Sequence, residues 1–296
     1  MKTPIRYAGG KTRAFDFISS YIPFWPRPDR IISPFMGGGS LEVRWAHEMG
    51  IEVKGFDVFN ILTNYWQHQL NNPQELYDIL KGLEPTKEQY DEIKDILLHW
   101  DKVQDLFKGW KTDYYDRTSK PLDDVVGAAY YWYNHNLSYG PAFLGWLSSI
   151  YVEKENLYQE MIKRVRDFNV PNLSVEQASF DEVIPNYKKD LIYADPPYYM
   201  EKSEDNKMFK GLYPNNNFPV HHTHFDHEKL RDLLHSHEGS FILSYNDCEW
   251  VRENYKDFEF KTPEWAYSYG QGETRIGKNK ENNDPKKSHE ILILKQ

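Results

Sequence analysis

Residues 195–198 read Asp-Pro-Pro-Tyr and close an apolar run, DLIYAD at 190–195. A carboxylate, a stiff turn and an aromatic ring within four residues suit a planar substrate ring that carries an NH2 group. Pro196 and Pro197 have no amide hydrogen, so the carbonyls around them need other partners. Such a turn can aim the Pro196 carbonyl and the Asp195 carboxylate at the amine while Tyr198 stacks on its ring. The lone pair of that amine is delocalised into the ring. Two acceptors on its hydrogens favour a more tetrahedral nitrogen and free the lone pair for in-line attack on an electrophilic methyl. Asp195 need only accept a hydrogen bond as positive charge develops. The plain alternative is a double-proline turn with no chemistry.

A second candidate is SPFMGGGSLEV at 33–43. Gly37, Gly38 and Gly39 leave the backbone bare where a ligand can approach, directly ahead of an expected helix. Asp57 ends the next apolar run about twenty residues on, the place and spacing of an acid that grips ribose hydroxyls. Together they point to an adenosine-bearing cofactor, with a helix N-cap as the structural alternative for Asp57. The loop lacks the Lys-Ser/Thr ending of a P-loop, which argues against a nucleoside triphosphate.

Four motifs in one order, YAGGK at 7–11, PFMGGGS at 34–40, GFD at 55–57 and DPPY at 195–198, resemble the Dam-type (D12 class, alpha-group) DNA adenine-N6 methyltransferases. The resemblance spans nearly the whole chain. It implies S-adenosyl-L-methionine as cofactor, with Tyr7, Gly9, Gly10 and Lys11 at its methionine end and Lys11 near its carboxylate. Pro34, Phe35, Gly37 and Gly39 form the cofactor loop in that likeness, Asp57 holds the ribose, and Asp195 adjoins the cofactor as well as the substrate. Ser179 and Phe180 fall at the cofactor's adenine, with Ser179 where the family often has an acid. The catalytic set is Asp195, Pro196, Pro197 and Tyr198. YYWYNHNLSYG at 130–140 is similar to the family's Asn-containing recognition segment, without an Arg often found there, and nominates Asn134, Asn136, Ser138 and Tyr139 for DNA contact. An enzyme of this kind must turn its target base out of the duplex, at an unstacking cost of a few kcal/mol.

These residues need elements to position them. RIISPF (30–35), DLIYAD (190–195) and SFILSYN (240–246) read as buried strands that end in polar or turn-forming residues, as parallel strands do beneath a site. IEVKGFD (51–57) joins them, and SHEILILK (288–295) adds a last strand. Helical patterns cover 41–49, 61–70 and 228–234, and strand, Gly-rich turn, helix, strand is the signature of an open α/β sheet. The expected fold is therefore α/β, a Rossmann-like sheet of the S-adenosylmethionine-dependent methyltransferase type, carrying a helical inserted target-recognition subdomain. The insert is placed at 73–168, between catalytic segments 1–72 and 169–296. Within it Tyr90, Ile93, Ile96, Leu97, Trp100, Val103 and Leu106 recur at helical spacing over 86–107, and a second helical region runs from near Pro121.

Composition narrows the partners. With 36 basic and 45 acidic residues the formal net charge is -9, which argues against indiscriminate coating of nucleic acid. The acid excess lies mid-chain. Lys2, Arg6, Lys11, Arg13, Arg27 and Arg30 face only Asp16 and Asp29 in the first thirty residues, and Lys278 and Lys280 lie in a basic stretch, 278–287, that reads equally as a DNA-contacting or a solvated loop. The single cysteine, Cys248, excludes an intrachain disulfide. HHTHFDH at 221–227 has no standard zinc spacing, so no metal is expected. Aromatic residues make up 16% of the chain, and the cluster AYYWY at 129–133 is read as helix core before a base-stacking surface. No membrane partner is expected, a monomer is the default, and the expected location is the cytoplasm of a prokaryotic or virus-infected cell. The partner is double-stranded DNA with a short recognition sequence that these residues leave open. Methylation of RNA adenine or of a protein amide nitrogen is the rival within catalysis, although the protein-glutamine form of the motif begins with Asn. A non-catalytic DNA-binding protein on the same scaffold is the rival outside it.

Overall fold

The computed structural model describes residues 1–7, 9–98, 124–140, 142–199, 225–262 and 290–296. Seven strands are β1 (Arg30–Ser33), β2 (Glu52–Asp57), β3 (Leu173–Gln177), β4 (Leu191–Ala194), β5 (Phe241–Asn246), β6 (Glu259–Lys261) and β7 (Glu290–Lys295). Their order in the sheet is β3-β2-β1-β4-β5-β7-β6. Pairing is parallel between β2 and β3, β1 and β4, and β4 and β5, and antiparallel where β7 joins β5 and β6. The chain has the mixed α/β, mostly parallel fold read from its apolar runs.

Those runs form inner strands because both of their faces are covered. All four residues of β4 and all six of β5 are buried, which is why they lack polar alternation. Two strands escape the sequence pattern. β3 (LSVEQ) buries only alternate residues, and β6 is three residues long at the sheet's edge.

Two compact units make up the chain, one of Met1–Gly10 with Met36–Ser179 and the other of Lys11–Phe35 with Phe180–Gln296. The first contains β2, β3 and the helices α2 (Glu42–Glu48), α3 (Asn60–Asn71), α4 (Pro73–Lys81), α5 (Lys87–Leu98), α6 (Val125–Leu137), α7 (Ser149–Glu153) and α8 (Glu155–Arg166). The second contains the other five strands with α1 (Phe15–Ser19), α9 (Phe180–Asn186), α10 (His227–Ser236) and α11 (Glu249–Asn254).

Aromatic residues fill the core of the first unit. α6 begins at Asp124, whose carboxylate accepts from the Gly127 amide at 2.9 Å, a side-chain N-cap. The helix is buried on nearly every face, Tyr131, Trp132 and Tyr133 included, and it packs against α3, α4 and α5. A helix apolar all round must lie inside, so the cluster at 129–133 is core, and burial of each such ring contributes about 2–3 kcal/mol. In α5 the helical spacing holds: Tyr90, Ile93 and Leu97 are buried, whereas Trp100, Val103 and Leu106 lie outside the described residues.

Candidate functional site

In the second unit, β4 ends at Ala194 and Asp195 follows at its C-terminal end. Lys11, just ahead of a short 3-10 turn at Thr12–Ala14, is only 3% exposed. Its ammonium lies 2.8 Å from Asp195 Oδ2 and 3.5 Å from Glu290 Oε1, and 5.4 Å above the Tyr198 ring. The Tyr198 hydroxyl donates to Glu290 Oε1. Four groups from three separated segments thus form one cluster: an ammonium, two carboxylates and a phenol. Burial pushes the Asp195 carboxyl above the usual carboxylate range; Lys11 opposes that shift and Glu290 adds to it. Burial likewise holds the Tyr198 phenol protonated, so it is a donor to Glu290.

The loop after β4 is clamped from β5. The Asn246 side-chain carbonyl accepts from the Tyr199 amide and its NH2 donates to the Tyr199 carbonyl, both at 2.9 Å. Tyr199 then stacks on Trp250 with centroids 4.3 Å apart and planes 5° apart. His227 Nδ1 pairs with the Tyr245 hydroxyl, and burial lowers the His227 pKa to about 4, leaving a neutral imidazole. Pro196 is buried and Pro197 half-buried in this clamped turn. Nearby in the chain order of the same unit, Phe35 stacks on Phe180 at 5.6 Å, and Phe225 packs against both.

In the first unit the Gly-rich turn is fixed by backbone bonds and close packing. The Met36 amide donates to the Phe56 carbonyl at 2.8 Å, and the Gly37 amide donates to Asp57 Oδ2 at 3.0 Å. Asp57 Oδ1 accepts from the Phe59 amide at 3.0 Å, and Trp66 Nε1 donates to the Gly37 carbonyl at 2.9 Å. Asp57 therefore ties the end of β2 to the loop. It does not cap α3, whose N-cap is Phe59 without a side-chain bond. A Cβ on Gly38 would fall 2.2 Å from the Tyr7 Cβ, so only glycine lets the loop meet Tyr7 this closely. Gly39 (φ +59°) and Gly9 (φ +76°) occupy the left-handed region, where a side chain is strained. Tyr7 stacks on His135, which stacks in turn on Tyr131.

The donor set fits an adenosine-bearing cofactor. An ionised carboxylate can accept more than two hydrogen bonds, so Asp57 has the chemistry to bind ribose hydroxyls. Residues 7–269 match the sequence model of the D12 class N6 adenine-specific DNA methyltransferases.

The chain belongs to this family.

A search of curated proteins found no match. Membership makes the chain an enzyme of DNA adenine methylation, with a methyl donor as its co-substrate. Among the described residues no helix is long and apolar enough to cross a membrane, and no group of three His, Cys, Asp or Glu is arranged to hold a metal ion.

The nominated DNA residues divide by burial in this methyltransferase. Asn134, Asn136 and Ser138 are 0% exposed, and their side chains bond within the protein. Asn134 Oδ1 accepts from the Leu144 amide at 2.7 Å, and Asn136 Oδ1 accepts from the Arg6 amide at 2.7 Å. Ser138 Oγ has one proton, shared between the carbonyls of His135 and Gly140, and it accepts from the Ala142 amide. Asn134 and Ser138 serve the turn after α6, whose backbone groups need partners, whereas Asn136 ties the end of the helix to Arg6. Tyr139 is the exposed member, at 60%, and its amide donates to the Trp146 carbonyl beside the Ser138–Leu147 bridge; Trp146 is 72% exposed. Ser179 is half-buried directly before α9, Pro34 is buried after β1, and Gly10 donates to the Tyr7 carbonyl. Lys278, Lys280 and residues 221–224 of the His-rich stretch lie outside the described residues.

Sequence reasoning missed Glu290, Asn246 and Trp250. Each reads as part of an ordinary strand or helix. Glu290 carries one available signal, a carboxylate directly before four apolar residues of a terminal strand.

Proposed function

We propose that the chain is a site-specific DNA methyltransferase that transfers a methyl group from S-adenosylmethionine to N6 of adenine in double-stranded DNA, with the target base turned out of the helix. The observation that carries the reading is the buried Lys11–Asp195 pair, 2.8 Å apart at the C-terminal end of β4, in a chain matched along most of its length by a DNA adenine methyltransferase family.

Asp195 accepts a hydrogen bond from the adenine amine while the Pro196 carbonyl takes the other hydrogen, and the nitrogen becomes more nucleophilic as positive charge develops on it. Lys11 holds Asp195 Oδ2 and so fixes the rotamer of the carboxylate. Tyr198 offers its ring to the extruded base, and its hydroxyl is already committed to Glu290. Asp57, with Gly37 and Gly39, holds the ribose end of the cofactor, and Phe35 and Phe180 flank its adenine beside Ser179. Tyr7, Gly9 and Gly10 line its methionine end. Lys11 is engaged first with Asp195 and Glu290, so its contact with the cofactor's carboxylate rests on the family resemblance alone. S-adenosylmethionine supplies, when bound, a methyl already activated on a sulfonium.

Segment 73–168 serves as the target-recognition region between catalytic segments 1–72 and 169–296. Its exposed Tyr139 faces the duplex, the buried Asn134 and Ser138 hold the turn that displays it, and Lys278 and Lys280 meet phosphates.

The test combines calorimetric titration with S-adenosylmethionine and transfer of labelled methyl to duplex DNA, RNA and protein. Saturable cofactor binding with label in duplex DNA is the expected result. Label in RNA or protein contradicts the substrate, and absence of cofactor binding contradicts the enzyme reading and favours a DNA-binding scaffold.

A further inference from the structure

We propose that Glu290 is a positioning residue of the methyl-transfer site, which anchors Tyr198 and shares Lys11 with Asp195 so that Asp195 stays a strong acceptor; this rests on the function proposed above. Glu290 is the first residue of β7, and in the antiparallel β5–β7 pair its register partner is Asn246. Two directly opposed residues therefore secure adjacent parts of one loop. Asn246 holds the backbone of Tyr199, and Glu290 accepts from the hydroxyl of Tyr198.

The second role follows from charge. Lys11 Nζ lies 2.8 Å from Asp195 Oδ2 and 3.5 Å from Glu290 Oε1, and the side chains of Lys11, Asp195 and Glu290 are 3%, 22% and 12% exposed. One ammonium between two carboxylates at such burial divides its attraction between them. Without Glu290 the whole of that charge falls on Asp195, which then binds an amine hydrogen more weakly and holds its own proton less tightly. Among the described residues, the groups that face Asp195 are Lys11 from the segment ahead of α1, Glu290 from β7 and Tyr198 from its own loop; Tyr245 of β5 stands behind the Tyr198 ring at 6.4 Å. Of these, Glu290 supplies the like charge, and it raises the Asp195 pKa in the direction that burial already sets.

The experiment compares wild type, Glu290→Gln and Glu290→Asp in single-turnover transfer across pH. Glu290→Gln is expected to slow transfer about tenfold or more and to move the acid limb of the profile to lower pH, because Asp195 loses the carboxylate that raised it. Glu290→Asp keeps the charge but draws back from Tyr198, so its limb stays at the wild-type position while the rate remains reduced. An unchanged Glu290→Gln profile overturns the proposal, as does a slower variant whose limb has not moved and whose melting temperature has fallen. Should Glu290→Gln fail to fold, the Asp variant decides: a wild-type limb with a slower rate supports the proposal, and a displaced limb overturns it. Carbon-13 NMR titration of the Asp195 carboxyl, in a folded variant without substrate, reads the same coupling independently. A lower midpoint in Glu290→Gln supports the proposal and an equal one overturns it. Failure of the wild type to methylate DNA counts against the proposed function and leaves the NMR result to judge Glu290.

Discussion

The Gly-rich turn of the first unit and the Asp195 loop of the second are both placed at the ends of parallel strands, yet they are built on different physics. The turn is a matter of shape. Its amides bond to Asp57 and to the Phe56 carbonyl, and Gly38 meets Tyr7 where no side chain fits. The Asp195 loop is a matter of charge, with Lys11, Asp195 and Glu290 gathered under Tyr198. The difference teaches what each can tolerate. A turn held by shape fails when volume is added, and its own contacts do not titrate. A region held by buried charge accepts isosteric change poorly and responds to protons.

Asp195→Ala is the hardest blow on the charged side. Transfer is expected to fall at least ~10³-fold, within the range for loss of a group that manages a proton in the transition state, while circular dichroism stays native because Glu290 still pairs with the buried Lys11. On the shape side, Gly38→Val should displace Tyr7, lower stability by about 1–3 kcal/mol in thermal melts and weaken cofactor binding equally at every pH tested. Equal loss at all pH values is the point; a pH-dependent defect would break the contrast.

Protons sharpen it further. Asp195 must be ionised to accept, and burial raises its pKa, so the single-turnover rate should fall with an acid limb above the usual carboxylate range. His135 gives the opposite case in the shape-built unit. Burial lowers its pKa from 6.5 to about 4, so below pH 6.5 the unfolded chain takes up a proton that the folded one refuses. Its contribution to stability is therefore full above 6.5 and is lost as pH falls toward about 4, up to about 3 kcal/mol. Denaturant melts of wild type and His135→Phe should diverge in that window and run parallel above it. The smallest expected effect is that of Asp57→Asn. The amide can keep one of the two backbone bonds, so stability should drop by about 1 kcal/mol, with cofactor affinity reduced about tenfold, measured by calorimetry.

The same contrast explains what could be read from the sequence. β1, β4 and β5 were legible because strands covered on both faces need unbroken apolar runs, and the site residues follow at their ends. β3 and β6 were not, since a half-covered or three-residue edge strand imposes little pattern. Asp195, Tyr198 and the glycines were legible through local chemistry: prolines, a carboxylate and bare backbone within a few residues. Glu290 was hidden because its meaning lies in Lys11 and Tyr198, which only folding brings to it. Asn134, Asn136 and Ser138 show a related limit of sequence. Polar residues in a recognition-like segment look available for DNA, yet here they bond to Leu144, Arg6 and the carbonyl of His135. Polarity shows that a residue needs partners without showing whether the protein itself provides them.

The most direct measurement is nucleoside analysis by mass spectrometry of unmethylated duplex DNA incubated with S-adenosylmethionine and either wild type or Asp195→Ala. N6-methyladenine with the wild type, and none with the folded variant at saturating cofactor, is the predicted result. A methyl group on another atom, or N6-methyladenine formed at the wild-type rate by the variant, would contradict the account.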